Sequence, residues 1–191
     1  MAPTLPDFPN LKPLPPLEHP ELLAQATFEA LARWFAAVPD AAAVVGVAAI
    51  DPALSDTAAL TQGLGLPPDA SVNCVVVAGR RAGVEKVAGV AVRATTRADV
   101  NNAVRRLLDV RKASFMAMDA AVAESAMEYG GITPVGLPQG WRVLIDRQVV
   151  DGGPAIIGAG VRQAKLVLPG AILATLPGAE IVDGLALGAS D

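Results

Sequence analysis

Residues 72–94, VNCVVVAGRRAGVEKVAGVAVRA, decide the fold class. Val72–Ala78 and Val87–Ala94 are runs of β-branched and small apolar residues. The segment between them, GRRAGVE (79–85), carries two glycines and reads as the turn of a β-hairpin. A hairpin joins antiparallel neighbours, so this is not one half of a regular βαβ alternation.

The pattern before the hairpin is helical from Glu21 to about Ala37, with Leu23, Phe28, Leu31, Trp34 and Phe35 mainly on one face, and Pro39 stops it. Trp34 and Phe35 suit either the core or an interface anchor. Ala43–Ile50 suits a strand and Asp56–Gly63 a short helix ended by Gly63 and Gly65. After the hairpin, Thr96 and Asp99 resemble a capping box for a helix through Leu108. Next come a strand at 113–116, a helix from Asp119 to about Glu128 and strands at 142–145, 155–157 and 165–168. A helix at 169–176 leads into a strand ending near Val182. Strands outnumber helices, which predicts an α+β protein with a mixed β-sheet flanked by helices. Ahead of it, residues 1–20 hold Pro3, Pro6, Pro9, Pro13, Pro15, Pro16 and Pro20 and read as an extended arm, leaving 21–191 as one domain.

Of the 191 residues, 52% are hydrophobic but only 4% aromatic, so the core must be built from Ala, Val and Leu. Cys74 is the single cysteine, which excludes an intrachain disulfide and points to the reducing cytoplasm. No apolar run approaches the roughly 20 residues that cross a bilayer, so no membrane partner is expected. The net charge of -4 is unevenly spread. Residues 80–112 hold nine of the 15 basic side chains against three acidic ones and carry +6, leaving -10 on the rest. That sector suits either a phosphate-facing surface or a solvated edge.

Chemical motifs are few. His19 is the only histidine and sits beside Pro20 in the arm, which argues against triad chemistry. One histidine and one cysteine do not make an ordinary zinc site, and no metal or cofactor is expected. Cys74, inside an apolar run, reads as a buried thiol rather than a nucleophile. Gly158-Ala159-Gly160 does not open a helix in the manner of a dinucleotide fingerprint. In Gly130-Gly131-Ile132-Thr133-Pro134, glycines permit close approach and the proline stiffens the chain. Such a loop serves as a constrained turn or as a cradle of N–H groups for an anion or oxyanion.

RKASFMAMDAAVAESAMEYGGITPVGLPQGWRVLIDRQVV (111–150), AIIGAGVRQAKLVL (155–168) and PGAEIVDG (177–184) resemble the YbaK/EbsC/ProX family of aminoacyl-tRNA editing domains. GGITP matches the family's GxxxP loop, and GAGVR its small-residue segment before a basic residue, here Arg162. The resemblance runs from about Ser55 to Gly184. It implies hydrolysis of the ester between a small mischarged amino acid and the 3′ end of a tRNA, without a metal or a protein nucleophile. It further implies that Gly130, Gly131, Ile132, Thr133 and Pro134 face the ester, while Gly158, Ala159, Gly160 and Arg162 form an opposing wall for the amino acid. A synthetase partner and a homodimer are both compatible with it.

Two departures stand out. A family lysine in a strand pattern like SFKTLLV is replaced by Asn73, an amide that brings no charge to a phosphate. Either Lys86, Arg162 or Lys165 substitutes, or the chain is a catalytically silent binder of tRNA ends, a synthetase or a small ligand. A family TG dipeptide is replaced by Ser125-Ala126.

Overall fold

The computed structural model describes residues 4–188; Pro3, at the start of the arm, and residues 189–191 lie outside the described residues. The helices are α1 (Gln25–Ala37), α2 (Pro39–Val44), α3 (Thr57–Leu64), α4 (Arg105–Leu108), α5 (Met118–Ser125) and α6 (Arg147–Asp151). The strands are β1 (Gly46–Ala49), β2 (Val72–Arg81), β3 (Val84–Arg93), β4 (Thr96–Ala98), β5 (Ala113–Phe115), β6 (Arg142–Asp146), β7 (Pro154–Gly158), β8 (Ala164–Pro169), β9 (Ala179–Val182) and β10 (Ala186–Gly188). Five strands form a mixed sheet in the order β5-β2-β3-β6-β9, in which β6 runs parallel to both β3 and β9. A three-stranded antiparallel sheet, β1-β8-β7, abuts it through a parallel bridge between Ser71 and Ile156. The architecture is α+β, with a mixed sheet flanked by helices.

The hairpin is longer than its sequence suggests. Its turn is only Ala82-Gly83, both with positive φ, the backbone that matches the right-handed twist of the strands. Alanine masks it, since Asn, Asp or Gly normally marks that position. Pro39 does not simply end a helix: it opens α2 at the first helical position, where its missing N–H costs nothing, so β1 begins only at Gly46. Thr96 belongs to β4 and donates to the Arg93 carbonyl at 2.7 Å, while Asp99 is itself the cap, accepting from the amides of Asn102 and Ala103 at 3.1 and 3.3 Å. Pairing of β4 with β10 holds Thr96 extended, which removes it from a capping box.

Trp34 is fully buried and donates its indole N–H to Thr175 Oγ1 at 3.0 Å; with Leu31, Ile145, Leu166 and Leu173 it belongs to the main core. A second core lies between β3 and the 100–110 segment, centred on Val90, Val104 and Leu108. The arm is tied down. Phe8 and Leu11 are buried against Ala48, Leu60 and Val167, and Leu14 exchanges two backbone bonds with Val47 of β1. It is not uniformly extended, since short 3₁₀ turns form at Pro16–Glu18 and Pro20–Leu22.

Arg93, at the end of β3, is 4% exposed. Its guanidinium donates to the carbonyls of Asp69, Ala70, Gln148, Val149, Gly153 and Pro154. Burial lowers its pKa, and the charge of Asp69 opposes that effect. Replacing Arg93 with Met should cost about 3 kcal/mol or more in chemical denaturation, because six carbonyls lose a charged donor in a place water reaches poorly, and of the six only Ala70, Gln148 and Gly153 also accept from a backbone N–H among the described residues. A change below about 1 kcal/mol would show that the network contributes little.

Candidate functional site

A cavity of about 430 Å³ opens between the start of β2, the first turn of α3 and the 129–132 loop. Its floor includes Ser71 just before β2, Asn73 and Cys74 from β2, Ile156 and Gly158 from β7, and Lys165 from β8. Lys165 alternates with Ala164 and Leu166, which face the main core, and so points to the other side of its sheet. There it donates to the carbonyls of Ser55 and Gly130, each at 2.9 Å. Its pKa is pushed down to about 8, chiefly by burial and then by the positive charge of Arg162, while Asp56 counteracts them.

Asn73 is held by Thr57, whose hydroxyl donates to Asn73 Oδ1 at 2.7 Å. Its NH₂ group has no protein acceptor among the described residues and borders the cavity. Beside it, the Ser71 hydroxyl is buried and unpartnered. Arg162 also lines the cavity; its guanidinium donates to the carbonyls of Tyr129 at 3.0 Å and Pro52 at 3.3 Å and lies 5.8 Å from the Tyr129 ring centroid. Asp56, the only carboxylate in the cavity lining, caps α3 by accepting from Ala58 N at 2.9 Å.

The GGITP loop and the GAGVR segment do not face each other across a gap. They are stitched into one wall: Glu128 N donates to Gly160 O, Gly160 N to Gly131 O, both at 2.8 Å, and Arg162 N to Glu128 Oε2 at 2.6 Å. A Cβ on Gly158 would come within 2.2 Å of Gly131 O and 2.5 Å of Ile132 O, so the glycine lets β7 touch the loop. Gly130 and Ile132 border the cavity, and their amides have no protein acceptor among the described residues. The Gly131 amide is already engaged by Glu128 O at 2.9 Å. Gly131, Thr133, Pro134, Ala159 and Gly160 are buried behind the wall, outside the cavity lining.

Burial pushes the Cys74 thiol up to about 12, which removes the thiolate near neutral pH. His19 pairs with Glu21 at 3.0 Å in the arm. Lys86 reaches toward Asp109 at the hairpin tip, away from the cavity. Of the three cations that could compensate for Asn73, therefore, Arg162 and Lys165 are at the cavity and Lys86 is not. Ser71, Thr57 and Asp56 carry no sequence signal of their own; Asp56 stands at the start of the helix expected at 56–63. Phe115, Met118 and Tyr129 ring the mouth, each more than half exposed. Among the described residues no three His, Cys, Asp or Glu side chains gather as a metal site, and no helix is long and apolar enough to cross a membrane.

The fold has counterparts among solved structures. It superposes on the crystal structure of the hypothetical protein APE2540 with a TM-score of 0.70 at 18% identity, over 83% of this chain and 99% of that one. It also superposes on a protein proposed as a trans-editing enzyme for prolyl tRNA synthetase, with a TM-score of 0.66 at 16% identity, over 84% and 97%. No curated protein matches the sequence. The sequence model of the aminoacyl-tRNA editing domain matches residues 51–176, and the chain belongs to that family.

Ala126, where the resemblance expects glycine, ends α5 with a left-handed φ of 55°. Ala126→Gly should raise stability by about 0.5–1 kcal/mol, since relief of the left-handed strain exceeds the entropy glycine adds to the unfolded chain; an unchanged denaturation midpoint would refute it. Lys165 gives a pH signature. Below pH 8 folded and unfolded chains both hold its proton, and the burial penalty is constant. Between about 8 and the ordinary lysine value of 10.5 the unfolded chain holds more proton, so this residue makes stability rise with pH, by at most about 3 kcal/mol. Denaturation of wild type and Lys165→Met at pH 7 and pH 10 should show that increment in wild type only.

Proposed function

We propose that the chain is a trans-acting aminoacyl-tRNA deacylase that removes a small mischarged amino acid, with Lys165 in the role the family gives to a lysine at position 73. One observation carries the reading: a buried lysine, the free NH₂ group of Asn73 and the free amides of Gly130 and Ile132 converge on a single cavity. The cavity volume lies within the 300–1,000 Å³ usual for small-ligand sites.

Hydrolysis of the ester requires water to add to the carbonyl carbon and the C–O bond to the ribose to break. The departing ribose oxygen takes a proton, leaving a free amino acid and an uncharged tRNA. Negative charge develops on the carbonyl oxygen in between. The Gly130 and Ile132 amides are suited to receive it, because they are fixed in advance by the stitched wall. The Lys165 ammonium lowers the same barrier by charge, or holds a phosphate of the terminal nucleotide. Asn73 supplies a neutral donor in either case. Ester positioning does the remainder, as bound reactants need no further loss of freedom.

A second reading, a silent binder of tRNA ends, a synthetase or a small ligand, is favoured by Asn73 itself. Purified protein offered Ala-, Cys-, Ser- and Pro-charged tRNAs decides between them. At least one ester should be cleaved above its uncatalysed rate. Lys165→Met should reduce that rate by about 10²–10³, the range for losing one stabilising group from such a site. No cleavage of any of the four would overturn the deacylase. A gain of activity in Asn73→Lys would show that the silent reading lacked only a charge.

A further inference from the structure

The basic sector resolves into two parts with different fates. Arg93 is internal, as described above. At the other end of the hairpin, Arg80, Arg81, Arg105, Arg106 and Arg111 line one groove between the Ala82-Gly83 turn and α4. The acidic groups that face it are Asp109, which takes Arg81 and Lys86, and Glu85, which takes Arg80 at 3.3 Å. Asp109 adopts a left-handed backbone, φ 52°, and so ends α4 with its carboxylate turned to the hairpin tip. Arg105 and Arg106 each bond the carbonyl four residues back through Nε, to Asn101 at 2.7 Å and Asn102 at 3.3 Å. Their terminal nitrogens are in no ion pair among the described residues, and neither is Arg111.

We propose that this groove grips the phosphates of an RNA duplex whose unpaired 3′ end enters the cavity. The proposal rests on the deacylase reading for its geometry. Three observations support it.

The residues are all arginine, whose planar fork meets phosphate oxygens in pairs. They concentrate positive charge on a protein whose remaining surface is strongly acidic, which favours one mode of approach for a polyanion. The third is distance. Edge strand β5 links the two places: Arg111 lies in the groove, and Phe115, four residues on, lies at the cavity mouth. Extended chain covers at most about 14 Å over that interval. Four stacked unpaired nucleotides, at about 3.4 Å each, cover the same length. Phe115, at the cavity end of that path, is 62% exposed and offers a face on which an unpaired base stacks.

The test is binding of uncharged tRNA by fluorescence anisotropy at several salt concentrations, comparing wild type with Arg105→Ala/Arg106→Ala/Arg111→Ala. Each lost phosphate contact lowers the slope of log K against log salt by about 0.7–0.9. The triple variant should therefore lose roughly two units of slope and at least about tenfold in affinity at low salt. Arg111→Ala alone, at an exposed position outside any helix, should lose a single unit and guards against misfolding of the triple. Equal slopes and affinities in wild type and both variants overturn the proposal, as does wild-type protein that binds phosphatidylserine vesicles but not tRNA. Because the tRNA is uncharged, the result is independent of ester cleavage: inactivity on the four charged tRNAs with a normal change in slope overturns the deacylase reading alone.

Discussion

Everything at the cavity floor depends on where one buried guanidinium sits. Arg93 ends β3, and the six carbonyls it binds belong to the chain just before β2, to α6 and to the turn entering β7. Those are the segments that bring the two sheets together. Ser71 and Asn73 follow the first of them, and Gly158 ends the strand that begins at the last. A cation without a carboxylate partner is costly to bury, yet a ring of carbonyl dipoles can replace its water if every N–H finds one. Gly152 is part of that arrangement, since a Cβ there would stand 2.9 Å from Arg93 Nη2. The five-stranded and three-stranded sheets are therefore locked at one angle. The cavity is the space that this angle leaves open beside their junction.

The hairpin, the mixed sheet and the GGITP loop were all legible in the sequence, because each is written locally: alternating apolar runs, paired glycines, a proline at a fixed offset. What stayed hidden was written across distance. Arg93 looks like any other basic residue of the 80–112 sector, and only the return of β7 beside β2 makes it internal. α6 is five residues long and opens on Asp146, whose carboxylate caps Gln148 N and also accepts from Ala186 N of β10; neither element has enough pattern to announce itself. The two glycine-rich segments of the site could be recognised singly. That they bond to one another, and so form one wall, depends on Gly158 and Gly160 meeting Gly131 in three dimensions.

The same distinction bears on Asn73. A charge at a site is a property of the space and not of one strand. β2 and β8 belong to different sheets, yet Asn73 and Lys165 border one cavity, so a cation lost from the first strand can be supplied from the second. The two arrangements are not equivalent. A lysine at position 73 would stand on a half-buried stretch of β2. Lys165 is 7% exposed and anchored on two carbonyls, one of them Gly130 in the candidate oxyanion loop. Its ammonium thus fixes the loop and charges the site at once. Drawing it outward to follow a substrate would break the bonds that hold Gly130.

That coupling limits what the site can do. A flexible surface lysine can adapt to a phosphate in several positions, whereas one held by Ser55 O and Gly130 O has a single N–H left and one direction in which to use it. Its lowered pKa, about 8, adds a second limit: deprotonation removes the positive charge from the site and leaves an amine with only the two N–H groups that the carbonyls already use. Arg162 is likewise held by two carbonyls, those of Tyr129 and Pro52, but it meets the cavity from the rim, beside the exposed Tyr129. A division of labour follows from these constraints. In the function proposed above, Lys165 acts over a short range on whatever sits deepest, while Arg162 and the exposed Tyr129 receive the larger part of the ligand. A substrate of that kind would be read in two parts, a small group by rigid contacts at the floor and an anionic or aromatic body at the mouth.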